Sequence, residues 1–196
     1  GRSVDRAGRY GAEELTMAVA ISTSTQSYRA QLAALGVPVE RLTNDSRRVQ
    51  PGDIFVAYPG ERQDGRDFID QALRAGAGAV LWEAEGYEWQ RDRTVPNLGV
   101  RGLRALAGRI AHELAGQPSL AMWMVGVTGT NGKTSCSQWI ASALTSLGRP
   151  TAVIGTLGHG CPSGLVGLGN TTPDAIALHP MLAQYHGLGA RCVAME

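Results

Sequence analysis

A glycine-rich stretch between a strand-like segment and a helix-like segment constrains this fold most. It follows the apolar run 121–127, which has the length and composition of a strand buried on both faces. It precedes residues 134–147, whose apolar side chains recur at helical spacing until Gly148 and Pro150. The stretch consists of Gly129, Thr130, Asn131, Gly132, Lys133, Thr134 and Ser135. A strand, a glycine loop and a helix in this order are typical of a phosphate-binding loop in a parallel α/β sheet.

The residue types in this loop suit a nucleoside triphosphate with its magnesium ion. Glycines let backbone N–H groups and the helix N-terminus face phosphate oxygens. Lys133 would reach the β- and γ-phosphates, and the hydroxyl of Thr134 or Ser135 would help to hold Mg²⁺. The loop is a variant of the general pattern, because Val127 stands where the first glycine is expected and Gly126 lies one residue earlier.

Lys133 is the only lysine of the chain, and every other residue among the 18 lysines and arginines is arginine. A glycine turn that merely caps a helix would explain the glycines of the loop, but not the position of this lysine. A compact ammonium differs chemically from a planar guanidinium, and a phosphate-binding loop needs the ammonium at this place. The position of the lysine therefore favours phosphate binding over a simple turn.

Strand-like and helix-like segments alternate along the rest of the chain, which predicts an α/β fold with parallel sheets. Short apolar or β-branched runs indicate the strands, and apolar residues at spacings of three and four indicate the helices. The strands are predicted at 54–58, 79–82, 121–127, 151–156 and 191–195, and the helices at 27–35, 66–75, 103–114, 134–147 and 174–185.

Composition divides these segments into two units. A small Rossmann-like α/β domain is predicted at 17–100, and the start of a P-loop parallel-sheet domain at 101–196, opened by the helix 103–114. Residues 1–16 are polar and lack periodicity, which indicates a tail or an expression-derived segment. Residues 86–98 mix charges with a proline and are predicted to be irregular or a short edge element. The glycine-rich residues 155–169 are predicted to form a loop.

Charge and cysteine usage exclude several classes of protein. A net charge of +1 is too small for a surface that neutralises many nucleic-acid phosphates, so we expect no nucleic-acid partner. The spacing of Cys136, Cys161 and Cys192 fits neither a disulfide framework nor a zinc site. No apolar run approaches the roughly 20 residues of a membrane span. We therefore expect a cytoplasmic protein that does not bind membranes.

Other polar residues are candidates that the residues alone leave open. Glu196 follows the apolar run CVAM, where an acid at the carboxyl end of a parallel strand could bind Mg²⁺, although a solvated glutamate fits equally well. Asn170, Thr171 and Thr172 could contact a phosphate or a sugar, but the residue types alone favour a helix N-cap. The composition of the segment 44–48 indicates only a turn.

Three blocks of sequence resemble the Mur ligases, and within that family its MurE members. The resemblance runs from about Leu42 to Glu196. The block LTNDSRRVQPGDIFVAYPGERQDGRDFIDQALRAGAGAVL is similar to the uridine-nucleotide domain that MurE shares with MurF. The block VGVTGTNGKTS is similar to the ATP loop of the whole family. The third block, GNTTPDA followed by GARCVAME, resembles MurE and not MurF.

The resemblance implies roles for individual residues. Residues 17–100 would form the UDP-substrate-binding domain, and 101–196 the first part of the central ATP-binding domain. It implies a substrate role for the segment 170–172, against the preference for a helix cap, and a magnesium role for Glu196. The implied substrate-binding residues are Asn44 and Ser46 at the uridine nucleotide, Glu61, Arg62 and Gln63 in a substrate loop, and Asn170, Thr171 and Thr172 at the muramoyl part.

The resemblance also implies an activity. It predicts an ATP- and Mg²⁺-dependent ligase, expected to be monomeric, that joins a diamino acid to UDP-N-acetylmuramoyl-L-alanyl-D-glutamate through an acyl phosphate. Diaminopimelate is the commoner diamino acid. Past the position of Glu196 the family continues with a Val-Ser-Ser-His run, a magnesium-associated lysine and a domain that selects the amino acid. We therefore expect the 196 residues alone to have no ligase activity.

Three other functions stay open at this point. The chain could belong to another Mur ligase such as MurF. An unrelated P-loop phosphotransferase would explain Lys133 but would leave the first hundred residues without a role. A non-catalytic nucleotide-binding module would need the chain to end at Glu196. Binding of the UDP-muramoyl dipeptide would separate the ligase from the phosphotransferase.

Overall fold

The computed structural model describes residues 20–22, 27–38, 41–167 and 172–196. These residues form two five-stranded sheets with helices packed on them, which confirms the predicted α/β class. The tail predicted at 1–16 and the candidate residues Asn170 and Thr171 lie outside the described part of the chain. Among the described helices, none combines the length and the apolar character needed to cross a membrane.

The first sheet is parallel throughout. Its strands are β1 (Ala20–Ser22), β2 (Leu42–Thr43), β3 (Ile54–Ala57), β4 (Ala79–Glu83) and β5 (Asn97–Val100), and its helices are α1 (Tyr28–Ala34), α2 (Ile69–Arg74) and α3 (Leu103–Leu114). The spatial order of the strands is β1-β5-β4-β3-β2. The predicted helix 66–75 begins as a 3₁₀ turn, Gly65–Phe68, and continues as α2.

Apolar side chains cover both faces of the first sheet. Strands β3 and β4 are buried along their whole length, as continuous apolar runs in parallel sheets are. On one face Leu81 packs with Leu32 of α1 and Ile110 of α3. On the other face Trp82 packs with Ile69 of α2. The helices therefore lie on both sides of the sheet, and the connections between strands leave its carboxyl edge.

Residues 86–96 contain no helix or strand, in agreement with the prediction that 86–98 are irregular, but Asn97 and Leu98 begin strand β5, which is not an edge element. It lies inside the sheet, between β1 and β4. The Trp82 indole Nε1 donates to Asn97 Oδ1 at 3.0 Å. Gly99 makes room for the same ring, because a Cβ at this position would lie 2.8 Å from Trp82 Cζ2. Asn97 and Gly99 are required by their contacts with Trp82, and they interrupt the apolar pattern expected of a buried strand. Periodicity therefore does not reveal this strand.

A carboxylate from β4 caps the start of α3. The N-cap residue Gly102 has a left-handed backbone (φ 68°) and no side chain to cap the helix. The buried Glu83 side chain accepts hydrogen bonds from the N–H groups of Gly102 (3.0 Å), Leu103 (2.7 Å) and Glu85 (3.1 Å). A negative group at this place satisfies N–H groups that a helix start leaves open and interacts favourably with the helix dipole.

Helix α3 packs on the first sheet and also contacts helix 175–187 of the second unit, which we predicted α3 to open. Its residues Leu103, Ala107 and Ile110 are part of the buried cluster formed by that sheet. The boundary near residue 100 stays a prediction. Because the buried face of α3 completes the first core, we propose instead that the boundary follows α3, between Leu114 and Trp123.

The second sheet combines parallel strands with a hairpin. Its strands are β6 (Trp123–Gly126), β7 (Thr151–Gly155), β8 (Gly158–Cys161), β9 (Gly164–Val166) and β10 (Cys192–Met195), and its helices are α4 (Lys133–Ser146) and α5 (Ala175–Gly187). The strand order is β6-β10-β7-β8-β9. Strands β6, β10 and β7 are parallel, whereas β8 and β9 are antiparallel. The strands predicted at 151–156 and 191–195 and the helices predicted at 134–147 and 174–185 are confirmed.

The hairpin β8–β9 corrects the prediction of a loop at 155–169. Gly158 and Gly160 have positive φ values and lie against the backbone of β9. A Cβ would be 2.3 Å from the carbonyl oxygen of Val166 at Gly158, and 2.8 Å from that of Gly164 at Gly160. The glycines that suggested a loop are therefore needed for close approach of the two hairpin strands.

Strand β6 is exposed, whereas we predicted burial on both faces. It forms one edge of the described sheet and pairs there with β10, and the side chain of Trp123 is 61% exposed. Helix α4 packs over β7 and β10. Accordingly, α4 buries Ser137 and Ala141, while Trp139 of its predicted apolar face is exposed. Periodicity found the helix and strand, but it could not show which neighbours would cover them.

Candidate functional site

The carboxyl ends of three parallel strands of the second sheet meet at one edge. The loop 127–132 follows β6, Thr156 follows β7, and Glu196 follows β10. Ligands of open α/β sheets bind at this edge, because the loops that leave the strands converge there. The structure thus brings the predicted loop and the predicted acid together, although they are far apart in sequence.

Two glycines shape the loop between β6 and α4. Gly129 has φ 142° and Gly132 has φ 78°, conformations that side chains of L-residues disfavour. Gly132 is the N-cap of α4 and provides no side-chain acceptor to the first helical turn. A helix start without such a cap keeps N–H groups available for an anion, and the helix dipole favours negative charge there. This local geometry suits the phosphate binding that the sequence predicts for the loop.

Lys133 is the first residue of α4 and lies over this loop. Its Nζ donates a hydrogen bond to the carbonyl oxygen of Gly129 at 2.8 Å. A long, flexible side chain held by one hydrogen bond to the loop can turn toward a bound phosphate without disturbing packed residues. The remaining loop residues, Thr130 and Asn131, are exposed.

The carboxylate of Glu196 is fixed between the loop and β7. Its Oε2 accepts a hydrogen bond from Thr134 Oγ1 at 2.9 Å, and its Oε1 accepts one from the Thr156 N–H at 2.7 Å. Thr134 and Glu196 are therefore adjacent, as expected for two ligands of one ion, while Ser135 is exposed on the first turn of α4.

This pair of oxygen ligands fits Mg²⁺. Magnesium in proteins is commonly held by one or two carboxylates together with phosphate oxygens and water. In the described residues no three side chains of His, Cys, Asp or Glu come together as a metal site. The donor set thus suits a hard cation shared with a phosphate ligand rather than a metal enclosed by the protein alone.

Thr172 is the described member of the predicted substrate segment 170–172. Its Oγ1 donates to the backbone oxygen of Glu196 at 2.8 Å. The N-cap of α5 is Asp174, whose Oδ1 accepts from the N–H groups of Ile176 and Ala177. Thr172 is therefore not the cap that its residue type suggested, and it lies beside the candidate metal site.

The substrate residues predicted in the first unit follow β2 and β3. Because these strands are parallel, the two loops leave the same edge of the first sheet. Asn44 Nδ2 donates to the Tyr58 hydroxyl at 3.3 Å, which links the loops. Ser46 is buried and its Oγ donates to Gln71 Oε1 at 3.0 Å.

The predicted substrate loop after β3 is accessible. Glu61, Arg62 and Gln63 are exposed, and Glu61 pairs with Arg104 at 3.2 Å. The N–H of Gly60 donates to the Gln63 carbonyl oxygen at 2.8 Å, so the loop is a closed turn. These side chains are exposed to a ligand at the edge of the sheet, whereas Ser46 is buried and bonded to its neighbour in α2.

Arg66 organises this edge, and the sequence analysis missed it. Its guanidinium binds the Asp64 carboxylate, with Nη2 2.7 Å from Oδ2, and donates from Nη1 to the Glu85 carbonyl oxygen at 2.8 Å. It also lies 5.0 Å from the centre of the Tyr87 ring. Arg66 therefore ties the loop after β3 to the loop after β4. The sequence signal that could have identified Arg66 is Asp64, which lies two residues before it and directly after the predicted substrate loop.

The Asp64–Arg66 pair predicts a dependence of stability on pH. The hydrogen bond from Arg66 lowers the pKa of Asp64 below its usual 3.8. A carboxylate with a lowered folded-state pKa stabilises the fold above its unfolded-state pKa, and this contribution is lost as pH falls through the folded-state value. In urea titrations at pH 7 and at about pH 3, we expect Asp64→Asn to reduce the pH-dependent loss of unfolding free energy. The exposed residue Asp92 offers the control Asp92→Asn, and equal pH dependence in both variants would contradict the prediction.

Comparison with known proteins relates both parts of the chain to one family. A model described as the catalytic domain of the Mur ligase family matches residues 38–113, and a model of the Mur ligase middle domain matches residues 127–196. Together these matches cover most of the chain. The chain belongs to the Mur ligase family. The Mur ligase matches leave residues 114–126 between them, in the range in which we place the domain boundary.

Curated Mur ligase relatives are UDP-N-acetylmuramoyl-L-alanyl-D-glutamate–2,6-diaminopimelate ligases. The enzyme of Nitrosomonas europaea is 52% identical over 165 residues, which are 84% of this chain and 32% of the relative. The enzyme of Chromobacterium violaceum is 49% identical over 168 residues, 85% of this chain and 34% of the relative. The chain thus spans about a third of the length of the curated relatives it matches.

Solved structures of Mur ligases share the fold. A structure of a UDP-N-acetylmuramoyl-L-alanyl-D-glutamate–2,6-diaminopimelate ligase is 32% identical with a TM-score of 0.61, over 79% of this chain and 31% of that one. A crystal structure of MurF from Acinetobacter baumannii is 22% identical with a TM-score of 0.58, over 87% and 35% of the two chains. The second likeness concerns the fold alone.

Proposed function

We propose that this chain is the front part of a MurE-type ligase. The whole enzyme would use ATP to join a diamino acid, meso-diaminopimelate, to UDP-N-acetylmuramoyl-L-alanyl-D-glutamate. The observation that carries this proposal is the meeting of Lys133, Thr134 and Glu196 at one sheet edge. The chain is also about half identical to ligases whose names specify diaminopimelate.

The proposed reaction begins with transfer of the γ-phosphoryl group of ATP to the terminal carboxylate of the UDP-linked dipeptide. The amine of the diamino acid then attacks the acyl phosphate, and phosphate leaves. Lys133 would bind the β- and γ-phosphates, and the backbone N–H groups at the start of α4 would hold phosphate oxygens. Magnesium, when bound by Thr134 and Glu196, would neutralise negative charge on the transferring group. These contributions are electrostatic and positional, and a protein nucleophile is not required.

The first sheet would hold the uridine nucleotide in this proposal. Asn44, together with the exposed loop of Glu61, Arg62 and Gln63, lies at the carboxyl edge where ligands of parallel sheets bind. Ser46 would contribute through its hydrogen bond to Gln71 and the shape of the loop it fixes. The segment 170–172 would contact the muramoyl part of the substrate near the metal, since Thr172 lies beside Glu196. Monomeric state and cytoplasmic location remain predictions.

A substrate comparison tests the proposal in the complete ligase that contains this chain. ADP release would be measured with UDP-N-acetylmuramoyl-L-alanyl-D-glutamate and either meso-diaminopimelate or lysine. A parallel reaction would offer the UDP-linked tripeptide and D-alanyl-D-alanine, as a MurF enzyme requires. We expect turnover of the dipeptide with diaminopimelate. Turnover of the tripeptide alone would overturn the MurE assignment, and ATP hydrolysis without any UDP-linked substrate would favour an unrelated phosphotransferase.

The 196-residue chain by itself is expected to release no ADP above background with the same dipeptide and diaminopimelate. The physical reason is that the described site presents one side of a nucleotide: the loop, Thr134 and Glu196. Catalysis of phosphoryl transfer needs charge stabilisation from several directions. A coupled ADP assay on the purified chain checks this, with the complete ligase as positive control. Turnover by the chain alone would show that the active site is complete within these residues.

A further inference from the structure

We propose that Gly155 and the backbone N–H of Thr156 are positioning groups that hold the Glu196 carboxylate toward the phosphate-binding loop. The inference rests on the proposed function, in which Glu196 and Thr134 bind magnesium. It adds a requirement at the end of β7, a strand that does not itself carry the loop or the acid. The observation is an unusually close approach between this strand end and the glutamate.

The end of β7 lies directly beside Glu196. Strands β7 and β10 are parallel, with Met195 opposite Ile154, and the Glu196 N–H donates to the Ile154 carbonyl oxygen at 3.1 Å. A Cβ placed on Gly155 would be 2.1 Å from Glu196 Oε1, 2.6 Å from Cγ and 2.7 Å from Cδ. Atoms in folded proteins do not approach so closely. The glutamate side chain therefore crosses the space that any side chain at position 155 would occupy.

Backbone conformation does not explain this glycine. Gly155 is the last residue of β7, and its φ lies outside the left-handed range that favours glycine. The three atoms nearest to the position of its missing Cβ belong to Glu196. A residue with a side chain could adopt the same backbone, so the requirement for glycine here comes from the carboxylate.

Thr156 completes the placement. Its N–H donates to Glu196 Oε1 at 2.7 Å, which leaves Oε2 for the Thr134 hydroxyl at 2.9 Å. A hydrogen bond from a rigid backbone amide to an ionised carboxylate is short and strong, and it fixes the rotation of that group. One oxygen is thus anchored to β7, and the other is directed to the loop. Groups that orient a metal ligand typically change metal affinity about 10- to 100-fold when they are removed.

The experiment measures metal binding rather than turnover. Binding of Mn²⁺, as a probe for Mg²⁺, is followed by electron paramagnetic resonance in the complete ligase with a non-hydrolysable ATP analogue. We expect Gly155→Ala to weaken Mn²⁺ binding at least about 10-fold. Affinity for UDP-N-acetylmuramoyl dipeptide should be unchanged, which a loss of folding would not allow. The matched control is Gly164→Ala in β9, where a Cβ would meet open space and φ is also outside the left-handed range; it should bind Mn²⁺ normally.

A double-mutant cycle separates positioning from general damage to β7. Glu196→Ala removes the atoms that Gly155→Ala would displace, so the second change should cost nothing further in that background. Additive losses, or normal Mn²⁺ binding by Gly155→Ala, would overturn the positioning role and leave the proposed function intact. Normal Mn²⁺ binding by Glu196→Ala would instead overturn the magnesium site of the proposed function, and with it the role of Gly155.

Discussion

Lys133→Ala in the complete ligase is expected to lower kcat by about 10²- to 10³-fold, because it removes a cation aimed at the transferring phosphoryl group. Binding of UDP-N-acetylmuramoyl dipeptide should stay within about twofold, since its uridine nucleotide is proposed to bind at the other sheet. The Lys133 side chain makes one described hydrogen bond, to the loop carbonyl of Gly129, so its loss should not unfold the protein. ADP-release kinetics measure the first effect, and calorimetry with each ligand measures the second.

Two further variants sharpen this experiment. Lys133→Arg keeps the charge but replaces the compact ammonium with a larger planar group, and it should remain impaired. Arg191→Ala removes a positive charge from an exposed position of the same unit and should behave like the unchanged enzyme. Loss of both ligands together in Lys133→Ala would show that the two sites are not independent, which would contradict the division into two units. Undiminished ATP turnover would remove the basis for the proposed function.

Glu83→Ala is expected to lower the free energy of unfolding by about 2–4 kcal/mol, the largest stability effect we foresee. The carboxylate accepts hydrogen bonds from the N–H groups of Glu85, Gly102 and Leu103, and it is buried. Alanine would leave these N–H groups without their acceptor, the buried N–H of Leu103 among them, and it would remove a negative charge from the start of α3. Urea denaturation of the chain, followed by tryptophan fluorescence, measures the change.

Comparison with two other glutamate variants tests the cause. Glu83→Gln keeps an acceptor oxygen but loses the charge, so its loss of stability should be smaller than that of alanine. Glu88 is exposed, and Glu88→Ala should change the free energy of unfolding by less than about 0.5 kcal/mol. If Glu83→Ala were as stable as Glu88→Ala, the start of α3 would not depend on the carboxylate from β4.

Periodicity predicted those helices and strands that can be recognised from their own residues. The helices at 103–114 and 174–185 and the buried strands β3 and β4 are confirmed, because apolar spacing reflects a face that meets a core. Periodicity failed where the residue types of a segment depend on contacts with residues far away in the sequence. Strand β5 was missed because Asn97 and Gly99 are required by contacts with Trp82. The hairpin at 158–166 was missed because its glycines allow the two strands to approach closely.

The candidate site likewise has parts that the sequence predicted and parts that it did not. The order of residues in the loop from Gly129 to Ser135 already predicted phosphate binding, since the glycines, the lysine and the hydroxyls would act within one short stretch of chain. The contact between Thr134 and Glu196 joins residues 62 positions apart, so family resemblance could suggest it but residue spacing could not. Arg66 and Gly155 were not found, because their partners come from neighbouring strands.

The sequence by itself determined the α/β class and most helices and strands, and it predicted a phosphate-binding loop, because these depend on residues close together along the chain. Only the tertiary structure decided that β6 lies at an exposed edge, that α3 completes the first core and that Glu196 faces Thr134. The reason is that strand order and register are fixed by hydrogen bonds and packing between distant segments. A local pattern can reveal a strand or helix, but it does not specify the neighbours that the fold places beside it.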